Sequence, residues 1–227
     1  MVIEISSIKL SEALRITETP SQSLLEERMP TGKLVKSNSH TDYVCQVYGP
    51  GEVESPPSPA DHAFGTFARI PLGESHGRLV GLIYDTVLLN PDFGSLGPRL
   101  SPAPDLAVFS PDYLAEKVTL VGITAVGTLA PDGTATHGVP PLAAQIDALV
   151  ERMDDDAVRA FHREPDGSVR LGYAPLLLTL GSPLARHLLL HVVDHLATLF
   201  PDQAAHLSVL RGEMAWQAMV APLGGAS

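Results

Sequence analysis

The chain has 227 residues, with 15 Lys and Arg against 26 Asp and Glu, so its formal net charge is −11 with neutral histidines. This acidic balance excludes a generic basic nucleic-acid binder, whose affinity depends on Lys and Arg replacing the counterions of phosphates. It also disfavours docking on an anionic membrane. Because 44% of the residues are hydrophobic, the chain can bury a core. We therefore expect no direct nucleic-acid binding and no membrane partner.

Cys45 is the single cysteine, which excludes an internal disulfide framework and a cysteine-rich zinc site. It lies in an alternating segment typical of a strand, and we expect its thiol to be buried and unreactive. No apolar run reaches the roughly 20 residues that span a bilayer. The first residues lack the basic segment that opens a signal peptide, so the expected location is the cytoplasm.

Residues 1–30 carry mixed signals and are interpreted as an N-terminal arm. Val2 to Leu14 alternates loosely between apolar and polar residues, which suits an edge strand. Thr17 to Pro30 is polar and contains two prolines, which suits either a short helix or a loose segment.

Residues 31–137 are predicted to form β-strands. The two longest strand signals are Arg78 to Leu89 and Lys117 to Leu129, both rich in β-preferring residues. Shorter runs are separated by turns rich in Pro and Gly: Leu34-Val35, Tyr43 to Tyr48, Ala63 to Pro71 and Leu106 to Phe109. Several short strands without helices between them predict a small closed barrel or a sandwich. Glycines inside the long strands are typical either of bulges in a tight barrel or of close packing: Gly81, Gly122 and Gly127.

Residues 138–227 are predicted to be mainly helical. Apolar residues recur at helical spacing after Pro140-Pro141: Leu142, Ile146, Leu149, Val150 and Met153. Asp154-Asp155-Asp156 favours the start of a short helix through His162. A longer helix is predicted from Ser182-Pro183 to about Phe200, and a last helix covers roughly Gln203 to Val220. The predicted fold class is α+β, a small N-terminal β-barrel followed by a C-terminal helical subdomain.

Three histidines lie at positions i, i+4 and i+8 of the longer helix, with Asp194 at the edge of their face: His187, His191 and His195. Imidazole is the commonest metal ligand, so this pattern indicates a divalent-ion site. Positions i and i+8 are about 12 Å apart along a helix, so one ion takes at most two of the three. Further ligands would come from elsewhere, such as His162 or His206. We predict that His187 and His191 bind a metal ion. The alternative is that these histidines are half-buried polar groups or lie in an interface.

Other chemistry-bearing patterns are sparse. His162 and Glu164 suit a general acid/base pair, or His162 is simply a histidine favoured by the dipole at a helix C-terminus. The sequence has no nucleophile elbow, phosphate-binding loop or dinucleotide-binding fingerprint, so no cofactor is predicted. Trp216 is the only tryptophan, and we consider it either a core residue or an anchor for a protein partner.

Four short segments resemble the HAS-barrel, the small β-barrel shared by HerA-type DNA translocases and ATP synthase subunits. They are Gly32-Lys33-Leu34-Val35, Leu79 to Asp85, Val118 to Ile123 with Gly127, and Gly138-Val139-Pro140-Pro141. In those families the barrel precedes a RecA-like motor, whereas mainly helical residues follow it here. The resemblance therefore implies a barrel that docks a partner, as HerA-type barrels dock a NurA-type nuclease. It implies no catalytic residue.

The leading hypothesis is a non-enzymatic interaction module or adaptor, associated with a DNA-processing translocase or nuclease. Its acidic surface suits a basic protein partner, and apolar helices beside a barrel favour a homo-oligomer. An enzyme stays open as an alternative, a metal-dependent hydrolase that uses His187 and His191. A second alternative is a small-molecule sensor that uses the barrel as its pocket.

Overall fold

The computed structural model describes residues 30–73, 75–90 and 117–220, with side chains of the last helix described as far as Ala215. The N-terminal arm, apart from Pro30, lies outside the described residues. So does the short run from Leu106 to Phe109, which therefore stays a prediction.

The described strands and helices follow the predicted order of strands first and helices last. The strands are β1 (Pro30–Ser37), β2 (Asp42–Val47), β3 (Phe67–Pro71), β4 (Arg78–Leu89), β5 (Val118–Leu129), β6 (Ala135–His137) and β7 (Leu149–Arg152). The α-helices are α1 (Asp155–His162), α2 (Ala174–Leu178), α3 (Ala185–Leu199) and α4 (Ala204–Val220). No helix in the described part of the chain combines the length and the apolar character needed to cross a bilayer.

Six strands close an antiparallel barrel in the order β2-β1-β7-β3-β4-β5, with β5 pairing back onto β2. Strand β6 pairs with the last residues of β5, beyond the stretch of β5 that pairs with β2. The predicted α+β class, a barrel followed by helices, is thereby confirmed.

The interior of the barrel is filled by one cluster of buried apolar side chains. Its members alternate along the strands: Leu34, Tyr43, Cys45, Val47, Ala68, Ile70, Leu79, Ile83, Val121, Ile123, Ala125 and Val150. Burial raises the pKa of the Cys45 thiol to about 12, so the thiol is protonated and unreactive, as predicted. Among the described residues, these side chains form a packed core inside the barrel.

The glycines of β4 and β5 allow both a bulge and close packing, the two roles that the sequence left open. The register of the β4–β5 pair shifts between Val80 and Gly81, which is a bulge. A Cβ atom on Gly81 would lie 2.4 Å from the side chain of Ile123, and one on Gly127 would lie 2.2 Å from the carbonyl of Thr136. Glycine is therefore needed here for close packing as well.

A second core joins the helices to the outside of the barrel. It combines residues of β3, β4 and β5, such as Phe67, with the buried faces of α1 and α3. Helix α1 is capped as predicted, since the Asp154 carboxylate accepts a 2.7 Å hydrogen bond from the Ala157 amide. Helix α3 ends at Leu199, immediately before the expected stop near Pro201.

The helix predicted from Leu142 to Met153 is wrong. Leu149–Arg152 is strand β7, which pairs with β1 on one side and β3 on the other and so closes the barrel. Asp147, with a φ of 63°, has a backbone conformation that interrupts a helix. The barrel therefore extends past residue 137, where the sequence placed its end. Pairing between distant strands overrode a local helical spacing.

Candidate functional site

A groove of about 430 Å³ lies between the barrel and helix α3, and we call it the α3 groove. Its lining comes from three segments: Ala63, Phe64, Gly65, Thr66 and Phe67 before and in β3; Arg152, Met153, Asp155 and Val158 around the start of α1; and His191, Asp194, His195 and Thr198 of α3. One wall is thus a helix face and the other a loop of the barrel.

The loop wall is held in place by the neighbouring strand. The Gly65 amide donates to the carbonyl of Ile83 at 2.8 Å, and the Ile83 amide donates to the carbonyl of Thr66 at 3.0 Å. Gly65 has a φ of +83°, and a Cβ atom there would lie 2.2 Å from Cδ2 of His191. Glycine is therefore required at this position for its conformation and for the close approach of the helix.

Aromatic contacts position the two histidines of the groove. The ring of His191 meets that of Phe64 at an angle of 61°, with centroids 6.1 Å apart. His195 lies one turn further along α3, and its ring centroid is 6.5 Å from that of Phe67. Nε2 of His195 is 3.6 Å from Oδ1 of Asp155, which makes them an ion pair whenever the histidine is protonated. These contacts give the groove an aromatic and imidazole surface.

The cations near the groove already have carboxylate partners. Arg152 is 3.1 Å from Asp61, which lies outside the groove lining. Arg211 of α4 bonds to the carboxylate of Asp194. Hydrogen bonds from Ser58, together with Arg152, lower the pKa of Asp61, so this partner of Arg152 stays ionised. The lining itself carries the two carboxylates Asp155 and Asp194 against one arginine.

The two histidines predicted to share a metal ion differ in their surroundings. His191 lines the α3 groove, whereas His187, one turn earlier on α3, is exposed and outside the lining. Among the described residues, no group of three or more His, Cys, Asp or Glu side chains is placed to hold a metal ion. Of the suggested additional ligands, His162 is fully buried and His206 is exposed on α4. Metal at His187 and His191 stays a prediction.

Trp216 lies within α4, and its side chain lies outside the described part of the chain. Its suggested role as an interface anchor stays a prediction.

Of the two interpretations of His162, the structure does not support an acid/base pair with Glu164 at the end of α1. His162 is fully buried, with Nδ1 donating to the carbonyl of Val158 at 2.8 Å and Nε2 accepting from the Tyr173 hydroxyl at 2.7 Å. Burial lowers the pKa of His162 to about 3. Glu164 instead pairs with Arg170 at 3.0 Å. No spacing in the sequence signals the contact with Tyr173, because a turn brings the two residues together.

A second surface feature is the connection between β6 and β7, residues 138–148, which we call the β6–β7 connection. It carries Val139, Leu142 and Ile146, exposed to 61%, 41% and 58%, and Leu149 follows it at 44%. Large apolar side chains grouped on an exposed segment mark interaction surfaces.

Hydrogen bonds to the barrel hold the β6–β7 connection in place. Nε2 of His40 donates to the carbonyl of Pro140 at 2.7 Å, and the Ala144 amide donates to the hydroxyl of Tyr43 at 3.2 Å. The Asp147 amide donates to the carbonyl of Leu34 at 2.9 Å. The exposed apolar side chains are therefore presented from a fixed backbone.

Comparison with known proteins identifies one family. The model of the family described as Domain of unknown function (DUF8166) matches residues 16–222, which include all the strands and helices described above. No curated protein matches the chain. The match extends over most of the sequence, and the chain therefore belongs to the family described as Domain of unknown function (DUF8166).

Proposed function

We propose that this protein is a non-enzymatic interaction module, an adaptor that docks a protein partner through the β6–β7 connection. The observation that carries the proposal is the exposure of Val139, Leu142, Ile146 and Leu149 on a backbone bonded to the barrel. Protein interfaces combine an apolar centre with a polar rim, and a surface fixed before binding loses little entropy on association.

The proposed partner is a basic protein of DNA processing, a translocase ATPase or a nuclease. The net charge of −11 favours such a partner, because complementary charge accelerates encounter and disfavours wrong partners. The closed barrel is compatible with the resemblance to the HAS-barrel, which in HerA-type translocases docks a nuclease. Gly138 to Pro141, one of the segments that carry the resemblance, opens the β6–β7 connection.

The test is affinity capture from a lysate of the source cells, with bound proteins identified by mass spectrometry. Wild-type protein is compared with a Leu142→Asp, Ile146→Asp double variant, which places charge on the connection. Val209→Asp is the matched control, because Val209 is 63% exposed on α4 and lies outside the connection.

We expect an ATPase or nuclease to be retained by wild type and by Val209→Asp and lost from the double variant. Binding is then measured with the purified partner, and a loss of at least about tenfold in affinity is expected for the double variant. Retention of the same proteins by the double variant contradicts the proposal, provided that its circular dichroism matches that of wild type.

A further inference from the structure

We propose that the α3 groove binds a small organic cation, a protonated amine attached to an apolar body. The inference rests on the groove between the β3 loop and α3, and it is independent of the proposed docking at the β6–β7 connection.

The groove has the size and lining of a small-molecule site. Its volume of about 430 Å³ lies within the range of about 300–1,000 Å³ that is typical for such sites. Phe64 of the loop before β3 is partly exposed, and with the buried Met153 and Val158 around the start of α1 it supplies the apolar part of the lining. An apolar ligand body would bury itself against these side chains and gain free energy in proportion to the area removed from water.

The charges of the lining select a cation. Asp155 contributes a carboxylate whose side chain is 58% exposed, so a ligand in the groove can reach it. The other carboxylate of the lining, Asp194, is already bonded to Arg211. The arginine of the lining, Arg152, is already engaged by Asp61. An anionic ligand would meet the Asp155 carboxylate and find the arginine occupied, whereas an ammonium group would gain a charge-assisted hydrogen bond to Asp155.

Aromatic rings strengthen the preference for a cation. Phe64 lies in the lining beside His191, and the face of a phenylalanine ring attracts an ammonium group within about 6 Å of its centroid. The imidazole of His195, 3.6 Å from Asp155, offers a further hydrogen-bonding group at the same end of the groove. A carboxylate, an aromatic ring and an imidazole thus line the same groove, and each of these groups can interact favourably with a primary amine.

The walls of the groove are set before any ligand binds. The hydrogen bonds of Gly65 and Thr66 to Ile83 hold the loop wall, and the helix wall is α3, whose opposite face is buried in the core. A ligand therefore binds without ordering either wall.

The direct test titrates the full chain with phenethylamine or hexylamine and monitors binding by nitrogen–proton correlation NMR. Phenethyl alcohol and 3-phenylpropionate serve as the neutral and anionic counterparts. With each compound raised to about 10 mM, we expect both amines to shift the resonances of residues lining the groove. The alcohol is expected to bind at least about tenfold more weakly, and the carboxylate not to bind.

Variants then assign the site. Asp155→Asn removes one carboxylate with little change in shape, and we expect it to weaken amine binding by about tenfold. Asp202→Asn is the control, because Asp202 is an exposed carboxylate on the short turn before α4, outside the lining. Phe64→Ala provides an independent variant that removes the ring and leaves the charges in place.

Three results would overturn the inference. The first is the absence of resonance shifts with either amine. The second is equal affinity for phenethylamine and phenethyl alcohol. The third is unchanged amine binding in both Asp155→Asn and Phe64→Ala while their circular dichroism matches that of wild type.

Discussion

His162 and Tyr173 are both fully buried and share a 2.7 Å hydrogen bond that joins α1 to the turn before α2. Nδ1 of His162 faces the carbonyl of Val158, which can only accept, so Nδ1 carries the proton and Nε2 accepts from Tyr173. Phe67 of β3 packs edge-on against the imidazole, with ring centroids 5.0 Å apart. The pair therefore links the helices to the barrel, and it requires an imidazole that carries no charge.

Acid is expected to destabilise the protein through this histidine. Burial lowers the folded-state pKa of His162 from 6.5 to about 3, so between these values the unfolded chain binds a proton that the folded chain does not. The stabilisation is complete above about pH 6.5 and is lost as the pH falls towards 3, at about 1.4 kcal/mol per pH unit. Burial also lowers the pKa of His137, which acts in the same direction.

The measurement is the free energy of unfolding in urea at about pH 7.5 and about pH 5, where His162 alone accounts for a difference of about 2 kcal/mol. His162→Gln should reduce this difference by about that amount, whatever its effect on stability at neutral pH. His76→Gln, which replaces an exposed histidine, is the matched control. The same pH dependence in His162→Gln and wild type would contradict the assignment.

Tyr173→Phe is expected to lower the free energy of unfolding by about 1–3 kcal/mol, because it leaves Nε2 of His162 buried without a donor. The measurement is urea unfolding at neutral pH. Tyr48→Phe, at a half-buried position at the end of β2, should cost no more than about 0.5 kcal/mol. If Tyr173→Phe and Tyr48→Phe lower the free energy of unfolding equally, the hydrogen bond of the buried Tyr173 hydroxyl adds no stability of its own.

Two glycine-to-alanine variants should act in opposite directions. At Gly127 a Cβ atom would lie 2.2 Å from the Thr136 carbonyl and 2.9 Å from the ring of Phe161, so Gly127→Ala should destabilise the protein by about 1–3 kcal/mol. At Gly212, within α4, a Cβ atom has no neighbour within 4 Å among the described residues, so Gly212→Ala should stabilise by about 0.5–1 kcal/mol. Thermal unfolding measures both, and changes of the same sign would refute the packing argument.

Glu151 joins three strands of the barrel through its carboxylate. Oε2 accepts from Nε of Arg69 at 2.8 Å and from Nη1 of Arg78 at 3.1 Å, and its side chain is only 15% exposed. Glu151→Gln should lower the free energy of unfolding by about 1–3 kcal/mol, because the arginines keep their charge and lose a charged acceptor.

Asp147→Asn is the control for Glu151→Gln. Asp147 is 76% exposed and 3.9 Å from Lys33, so its ion pair is screened by water, and Asn tolerates the positive φ of 63° found there. A change below about 0.5 kcal/mol is expected in urea unfolding. If Asp147→Asn lowers the free energy of unfolding as much as Glu151→Gln does, the partial burial of Glu151 adds no stability beyond that of an exposed ion pair.

The elements that were predicted well are those whose signals are local. Strand β4 spans Arg78–Leu89, the same residues that the apolar run indicated, and β5 begins within one residue of its prediction. The cap at Asp154 likewise depends only on its own helix. Alternation, turn residues and caps act between neighbours in the chain, so they can be recognised without knowing what lies across from them.

The failures concern contacts between distant segments. The spacing of Leu142, Ile146 and Met153 satisfied a helix, yet β7 formed because β1 and β3 each offered an edge to pair with. The sequence could identify His191 and His195 as neighbours on one helix face, since periodicity determines a shared face. That a loop of the barrel and Asp155 form a groove with this face was decided by how α3 packs on the barrel. Helical spacing carries no information about the surface opposite a helix, and the chemistry of a groove depends on both of its walls.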